Sequence, residues 1–192
     1  TVLQVKLEVE NLASWKAGQY LNLINSQGVI RSYSIANLPL EDGFIELHVR
    51  LQLQGVMGTW LQEKAKVGDA VRLRGPLGKC FYFNPQKLSY PILLVGTGTG
   101  LAPLVGIARD ALAQGHQGNI TLLHGSLTSK EVYYVEPLLA LSAQYPQFQY
   151  VCCVLQNEAG PSESIEKAVL RYLEHPNILR VFVCGPVETT RK

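Results

Sequence analysis

The sequence predicts two domains, an all-β barrel or sandwich followed by an α/β domain built on a parallel sheet. Up to Arg74, short runs of alternating apolar and polar residues are separated by turn signals, with a single brief helix among them. From Ile92 onward, strand-like runs alternate with segments of helical period, as in a parallel sheet covered on both faces. Between the two patterns lies a polar, proline-bearing stretch, Asn84 to Pro91, which divides the chain into 1–87 and 88–192.

In the first domain Leu3, Val5, Leu7 and Val9 alternate with Gln4, Lys6, Glu8 and Glu10, the period of a half-buried strand. Ile45, Leu47, Val49, Leu51 and Leu53 repeat the pattern against Glu46, His48, Arg50, Gln52 and Gln54. Shorter strands are expected over Tyr20 to Ile24, Val29 to Ile35 and Val71 to Arg74, with turns at Ala17-Gly18, Gln27-Gly28, Asp42-Gly43, Gly68-Asp69 and Gly75-Pro76. The brief helix is expected to open at Thr59, whose hydroxyl would cap the first turn while Gln62 completes a capping box. In the second domain strands are expected at Ile92 to Val95, Ile120 to His124, Gln149 to Leu155 and Leu179 to Cys184. Helices fall between them, over Pro103 to Gln114, Glu136 to Gln144 and Glu163 to Glu174, the last with Ile165, Val169 and Leu173 as its apolar stripe.

Three glycine-bearing turns carry the chemistry. Gly96, Gly98 and Gly100 join a buried strand to a helix whose first position suits Pro103, since the N–H there has no intrahelical partner. Glycine lets the main chain approach a ligand and the helix start favours an anion, so this turn reads as a phosphate cradle. Gly55-Val56-Met57-Gly58-Thr59 leads into the capped helix and is a second anion site by the same reasoning. Cys184-Gly185-Pro186 ends the last strand, at the carboxyl edge where open parallel sheets bind ligands. On the strand through Arg31 to Ile35, alternation puts Arg31 and Tyr33 on one face and Ser32 and Ser34 on the other. The arginine and tyrosine are either a phosphate contact and a stacking surface for a flat ring, or a solvated cation and a rim aromatic. His48 and Arg50, on the polar face of their strand, are likewise either ligand contacts or a solvent-facing edge.

Composition excludes several classes. A net charge of +2 with dispersed basic residues leaves no footprint for nucleic acid. No apolar run approaches the roughly 20 residues of a membrane span, and no signal peptide opens the chain. The four cysteines, Cys80, Cys152, Cys153 and Cys184, have no metal or iron–sulfur spacing. Cys152 and Cys153 are expected to be small buried side chains, and the compartment reducing, hence cytoplasmic.

In their order and spacing, RSYSIAN, HVR, a glycine turn before W-L, GD-x-V-x-L-R-GP-x-G, G-T-G-x-A-P and CGP resemble the ferredoxin–NADP reductase family of flavoproteins. The likeness runs from Ala17-Gly18-Gln19-Tyr20 through Cys184. It implies an antiparallel six-stranded FAD-binding barrel followed by a doubly wound nicotinamide-nucleotide domain. It further implies that Arg31 contacts the FAD pyrophosphate, Tyr33 lies against the isoalloxazine ring and Ser34 hydrogen-bonds near its hydride-accepting nitrogen. His48, Val49 and Arg50 match the segment lining FAD, and Gly55, Val56, Met57, Gly58 and Thr59 its pyrophosphate helix. Gly98, Thr99 and Gly100, with Pro103 behind them, would cradle the nicotinamide nucleotide, and Cys184, Gly185 and Pro186 would stand beside the nicotinamide. Ser34 and Cys184 are thus the candidate catalytic positions, and no residue is assigned to a metal.

The implied activity is hydride transfer from NADH or NADPH to FAD, then electron transfer to an acceptor such as an iron–sulfur protein or domain outside this chain. Two rivals remain. Gly58 stands where the family has a serine or threonine, which speaks for a free-flavin reductase, and a non-catalytic flavin-holding module is the alternative outside enzymes. Ala17 and Leu127 also depart from the family's proline and arginine. Family members begin one strand earlier and continue past CGP, so the second domain is expected to be C-terminally incomplete. At the adenosine end, the turns Ser126 to Lys130 and Leu155 to Glu158 offer a glutamate and no arginine, which suits a ribose diol better than a 2′-phosphate. NADH is therefore the expected nucleotide, with Lys130 the residue that favours NADPH.

Overall fold

Strand β1 (Val2–Glu8) pairs antiparallel with β4 (Phe44–Arg50) over its full length, from Val2 opposite Arg50 to Glu8 opposite Phe44. A second antiparallel sheet has the order β3 (Ile30–Ser34), β2 (Tyr20–Ile24), β5 (Arg72–Leu77). A single bridge between Ile35 and Leu47 links the two sheets. This computed structural model describes residues 1–9, 14–39, 43–52, 54–83, 89–157, 160–174, 180–186 and 190. The expected turn residue Asp42, strand residues Leu53 and Leu179, the residues on either side of the 87/88 boundary, and Glu158 lie outside them.

Inward alternation gives the first domain its core: Leu21, Leu23, Ile35, Ile45, Leu47 and Val49 pack with Trp15, Met57 and Trp60. Among the described residues this antiparallel domain shows five strands in two bridged sheets. The outer edge of β3 has no strand partner there, and the second edge of β4 meets the short segment of Ile35, Ala36 and Asn37, so the ring does not close.

Helix α1 (Val56–Glu63) starts a turn earlier than the capping-box pattern implies. Gln54 adopts φ 66° and Gly55 bonds back to the Gln52 carbonyl, so the chain has already reversed before Thr59. Gly55 is the N-cap, without a side-chain cap, and Thr59 N–H donates to the Gly55 carbonyl at 2.8 Å.

The second domain is a parallel sheet in the order β8 (Phe148–Gln156), β7 (Ile120–Thr128), β6 (Ile92–Thr97), β9 (Arg180–Cys184). Successive residues of β6 point to opposite faces. Ile92 and Leu94 meet α2 (Leu101–Ala113) and α3 (Val135–Gln144), while Leu93 and Val95 meet α4 (Ile165–Leu173) through Ile165 and Ala168. A 3₁₀ turn over Gly98–Gly100 precedes α2, so Pro103 is the third helical residue and not the first. It still lies in the first turn, where a missing N–H costs nothing. Ser164 caps α4 by accepting the Lys167 N–H at 3.3 Å, and the expected stripe residue Leu173 is exposed at its far end. Cys153 is buried but Cys152, its neighbour on β8, faces the other way and is exposed, which corrects the expectation that both are core residues. Among the described residues no helix is long and apolar enough to cross a membrane.

Candidate functional site

The order β8-β7-β6-β9 places a topological switch at β6, because the chain leaves β6 towards β7 on one side while β9 lies on the other. Loops diverge there and open a crevice at the strand carboxyl ends. A cleft of about 610 Å³ occupies it, lined among others by Arg50, Thr97, Gly98, Lys130, Tyr133 and Pro186. The three residues of the expected phosphate cradle do different jobs. Gly98, at φ 54°, borders the cleft, and the atom nearest a Cβ there is a guanidinium nitrogen of Arg50 at 3.5 Å. Gly100 is instead pressed onto β9, where a Cβ would lie 2.2 Å from the Cys184 carbonyl oxygen. Thr99 stands between them in the 3₁₀ turn, whose opening N–H groups have no partner inside the turn.

Gly185 repeats the close approach from the other strand, with its Cβ position 2.3 Å from Thr97 Oγ1. That hydroxyl is buried and has no hydrogen-bond partner. An orphaned hydroxyl, an open main-chain turn and a crevice between two strand ends fit the polar groups of a nicotinamide nucleotide. Cys184 is half-buried against the α2 face of the sheet. Burial, and then the proximity of Cys80, push its thiol up despite a hydrogen bond from the Gly185 backbone, so it is held protonated.

On the flavin-domain side, register places Arg31 opposite Leu23 and Tyr33 opposite Leu21, the inward face, and Ser32 and Ser34 opposite Asn22 and Tyr20, the outward face. The expected alternation therefore holds, and only the open edge of β3 is common to Tyr33 and Ser34. Arg31 is exposed and donates to its neighbour's carbonyl, Ile30 O, at 2.7 Å, a contact it can leave at little cost. Burial pushes the Tyr33 hydroxyl up, opposed in part by Arg31. The first N–H groups of α1, at Val56, Met57 and Gly58, have no intrahelical partner, while the Met57 side chain is committed to the core. A helix start without a side-chain cap, a guanidinium and an aromatic ring at an open strand edge are groups of the kinds that fit a flavin dinucleotide. Helix α1 has no side-chain cap, and Thr59 lies inside it.

His48 and Val49 are both buried. The side chain of Val49 is core, and His48, expected on an open polar face, is 3% exposed. The reason is that residues 133 and 134 of the second domain cover the polar face. His48 Nδ1 lies 2.9 Å from Tyr133 Oη and Nε2 lies 3.0 Å from Glu46 Oε1. Burial alone would raise the Glu46 carboxyl, but its hydrogen bond and charge interaction with His48, a hydrogen bond from Tyr134 and the charge of Lys6 outweigh it and hold the group below its usual range. Burial pushes Tyr133 far up, so it stays a phenol. Arg50 alone of the HVR segment reaches the cleft, where it pairs with Glu131 at 3.7 Å.

Sequence reasoning missed Glu46, His124, Glu131, Tyr133 and Tyr134. The one signal available was a carboxylate and an imidazole two residues apart in a strand, the spacing that puts both on one face. Of the turns expected at the adenosine end, Lys130, Ser126, Leu127 and Leu155 border the cleft, as does Glu166 of α4. Asn157 is tied into its own loop, donating to Ser162 Oγ and the Pro161 carbonyl.

Residues 1–82 match the oxidoreductase FAD-binding domain family and residues 94–191 the oxidoreductase NAD-binding domain family. The chain is 38% identical over 163 residues to the reductase subunit of an aromatic O-demethylase from an Amycolatopsis species, covering 83% of this chain and 48% of that one. It is 32% identical over 190 residues to the toluate 1,2-dioxygenase electron transfer component of Pseudomonas putida, covering 96% and 54%. It thus spans about half the length of these relatives. A crystal structure of an Amycolatopsis cytochrome P450 reductase superposes with a TM-score of 0.88 at 32% identity, over 99% of this chain and 59% of that one. The ferredoxin–NADP⁺ reductase of Plasmodium falciparum shares the fold, with a TM-score of 0.78 at 18% identity over 95% and 76%. With one domain of each kind in this order, and a glycine-lined crevice at the switch of the second, the chain belongs to the ferredoxin–NADP reductase-like family of flavoprotein oxidoreductases.

Proposed function

We propose that this chain is the flavin- and nucleotide-binding part of an NAD(P)H-dependent reductase that passes hydride from the nucleotide to FAD and electrons onward to a protein acceptor. The observation that carries the reading is the convergence of Gly98, Thr97 and Pro186 with Arg50 of the flavin domain on one cleft. Bound FAD would supply the conversion of a hydride into single electrons. Arg31 and the first turn of α1 would hold its diphosphate, Tyr33 would offer a ring face, and Ser34 a hydroxyl at the edge of β3. The Gly98 turn would hold the nucleotide diphosphate, and Cys184 would set the depth of the nicotinamide by its bulk, not by redox chemistry. A relative from a Ralstonia species named as the ferredoxin–NAD(P)⁺ reductase component of naphthalene 1,2-dioxygenase/salicylate 5-hydroxylase systems makes an iron–sulfur protein or domain the favoured acceptor. Four free cysteines fit a reducing, cytoplasmic setting.

NADH is the favoured donor, because Glu166 and the pairing of Glu131 with Arg50 leave Lys130 as the cation bordering the adenosine end. The test is anaerobic addition of each nucleotide to the protein purified with its flavin. Loss of the oxidised-flavin absorbance is expected, with kcat/KM higher for NADH. Flavin that is bound but unbleached by either nucleotide overturns the reading, and flavin absent until supplied would indicate a free-flavin reductase. A tenfold preference for NADPH, about 1.4 kcal/mol, would overturn the choice of donor.

A further inference from the structure

The polar face of β4 carries a buried chain of hydrogen bonds that crosses from one domain to the other. Glu46 is an ionised acceptor, so His48 donates through Nε2, and Nδ1 is left to accept the Tyr133 hydroxyl. Each donor has one acceptor. The Tyr133 ring stands edge-on between two imidazoles, 5.2 Å from His48 of the flavin domain and 5.7 Å from His124 of the nucleotide domain. Tyr134 completes the set, its ring 4.7 Å from His48, and holds a left-handed backbone at φ 62° to do so. A non-glycine residue keeps that conformation only where its surroundings over-determine it.

The series of hydrogen bonds ends at the nucleotide cleft. Tyr133 borders the nucleotide cleft, and β4 runs only two residues past His48 to Arg50, which sits beside Gly98. Apolar surfaces of similar shape would tolerate sliding, whereas a directed chain of donors and acceptors admits one register. Hydride transfer requires reacting atoms to be held about 3–3.5 Å apart, and here the two cofactor sites belong to different domains. We propose that Glu46, His48 and Tyr133 form a positioning relay that fixes the nucleotide domain against the flavin domain and so sets the separation across which hydride passes. This rests on the reductase reading above.

The relay is tested in the full chain with flavin bound. Tyr133→Phe keeps the ring and removes only the last hydrogen bond. Flavin reduction in stopped flow is expected to slow tenfold or more, with flavin content and nucleotide affinity within twofold of the parent. Amide hydrogen exchange over 129–135 and 44–50 is expected to rise together. His48→Leu should behave alike, and His48→Gln, whose amide can donate to Glu46 and accept from Tyr133, should recover part of the loss. Parental reduction rates in both Tyr133→Phe and His48→Leu overturn the proposal, as does faster exchange without slower reduction. If neither nucleotide bleaches the parent's flavin, it is the reductase reading that falls, and exchange in the same variants still decides whether the relay fixes the domains.

Discussion

His124 sits on β7 with its ring fully buried, Nδ1 3.1 Å from the Tyr150 hydroxyl and Nε2 without a partner. Burial first, and the nearby His48 second, push its pKa down to about 4. Below the unfolded value near 6.5 the unfolded chain takes up a proton that the folded chain refuses, so stability is lost as the pH falls from 6.5 towards 4. Between pH 7 and pH 5 this one group should cost about 2 kcal/mol. His116 is pushed in the same direction, by burial and Arg180 against a backbone bond to Tyr90, so the total loss belongs to both. Urea unfolding of the parent and His124→Asn at the two pH values separates them: the variant's loss should be smaller by about 2 kcal/mol. An equal loss in both would show that His124 is protonated when folded. At this scale the sequence was readable where a residue acts through its own local pattern. Arg31, Tyr33 and Ser34 alternate as their strand requires. His48 was not readable, since its surroundings come from Tyr133, 85 residues away.

Elements were legible where periodicity and breakers agree, and least so at their ends. The strand of Tyr20 to Ile24 falls where alternation puts it, while α1 begins before Thr59 because a positive φ at Gln54 turned the chain first. The glycine turn after β6 shows what a motif conceals: its glycines are alike in sequence but face different things. Gly98 faces the Arg50 guanidinium at an ordinary contact distance, and Gly100 has no room toward Cys184 and Gly185. Gly100→Ala would put a methyl carbon 2.2 Å from one backbone atom and 2.7 Å from another, neither of which can swing aside. The end of β9 has to move, at a cost of about 1–3 kcal/mol for overpacking. Nucleotide binding is expected to weaken at least tenfold with flavin retention unchanged, measured by equilibrium titration of the flavin-loaded protein. Gly98→Ala, which meets no backbone, should do less through crowding and more through its φ of 54°. If Gly100→Ala bound nucleotide as the parent does, the junction of β6 and β9 would not define the site.

The two domains meet at the Tyr133 to His48 bond, and the segment leading from one to the other is tied to the second, with Tyr82 Oη and His116 Nδ1 3.1 Å apart and Arg180 donating to the Phe83 carbonyl at 2.6 Å. Between them α2 rests directly on the flavin domain. A Cβ on Gly106 would lie 3.2 Å from the Ile35 carbonyl oxygen and 3.3 Å from Ala17 Cβ, so the helix touches main chain there. From the sequence Gly106 read only as a residue within an apolar helix, because nothing local reports which surface a helix will meet. Gly106→Ala asks its neighbours for a few tenths of an ångström and gains up to about 1 kcal/mol of helix propensity, so it should be close to neutral. Gly106→Leu has no such room and must lift α2 from Ala17 and Gly18. Calorimetry of the parent is expected to show one unfolding transition, and of Gly106→Leu two, since each domain keeps its own core. Flavin should remain bound while its reduction by nucleotide slows by an order of magnitude or more, because the contact that is lost aligns the sites without belonging to either. A single transition at the parental temperature, with parental reduction, would mean that α2 can slide on the flavin domain without consequence.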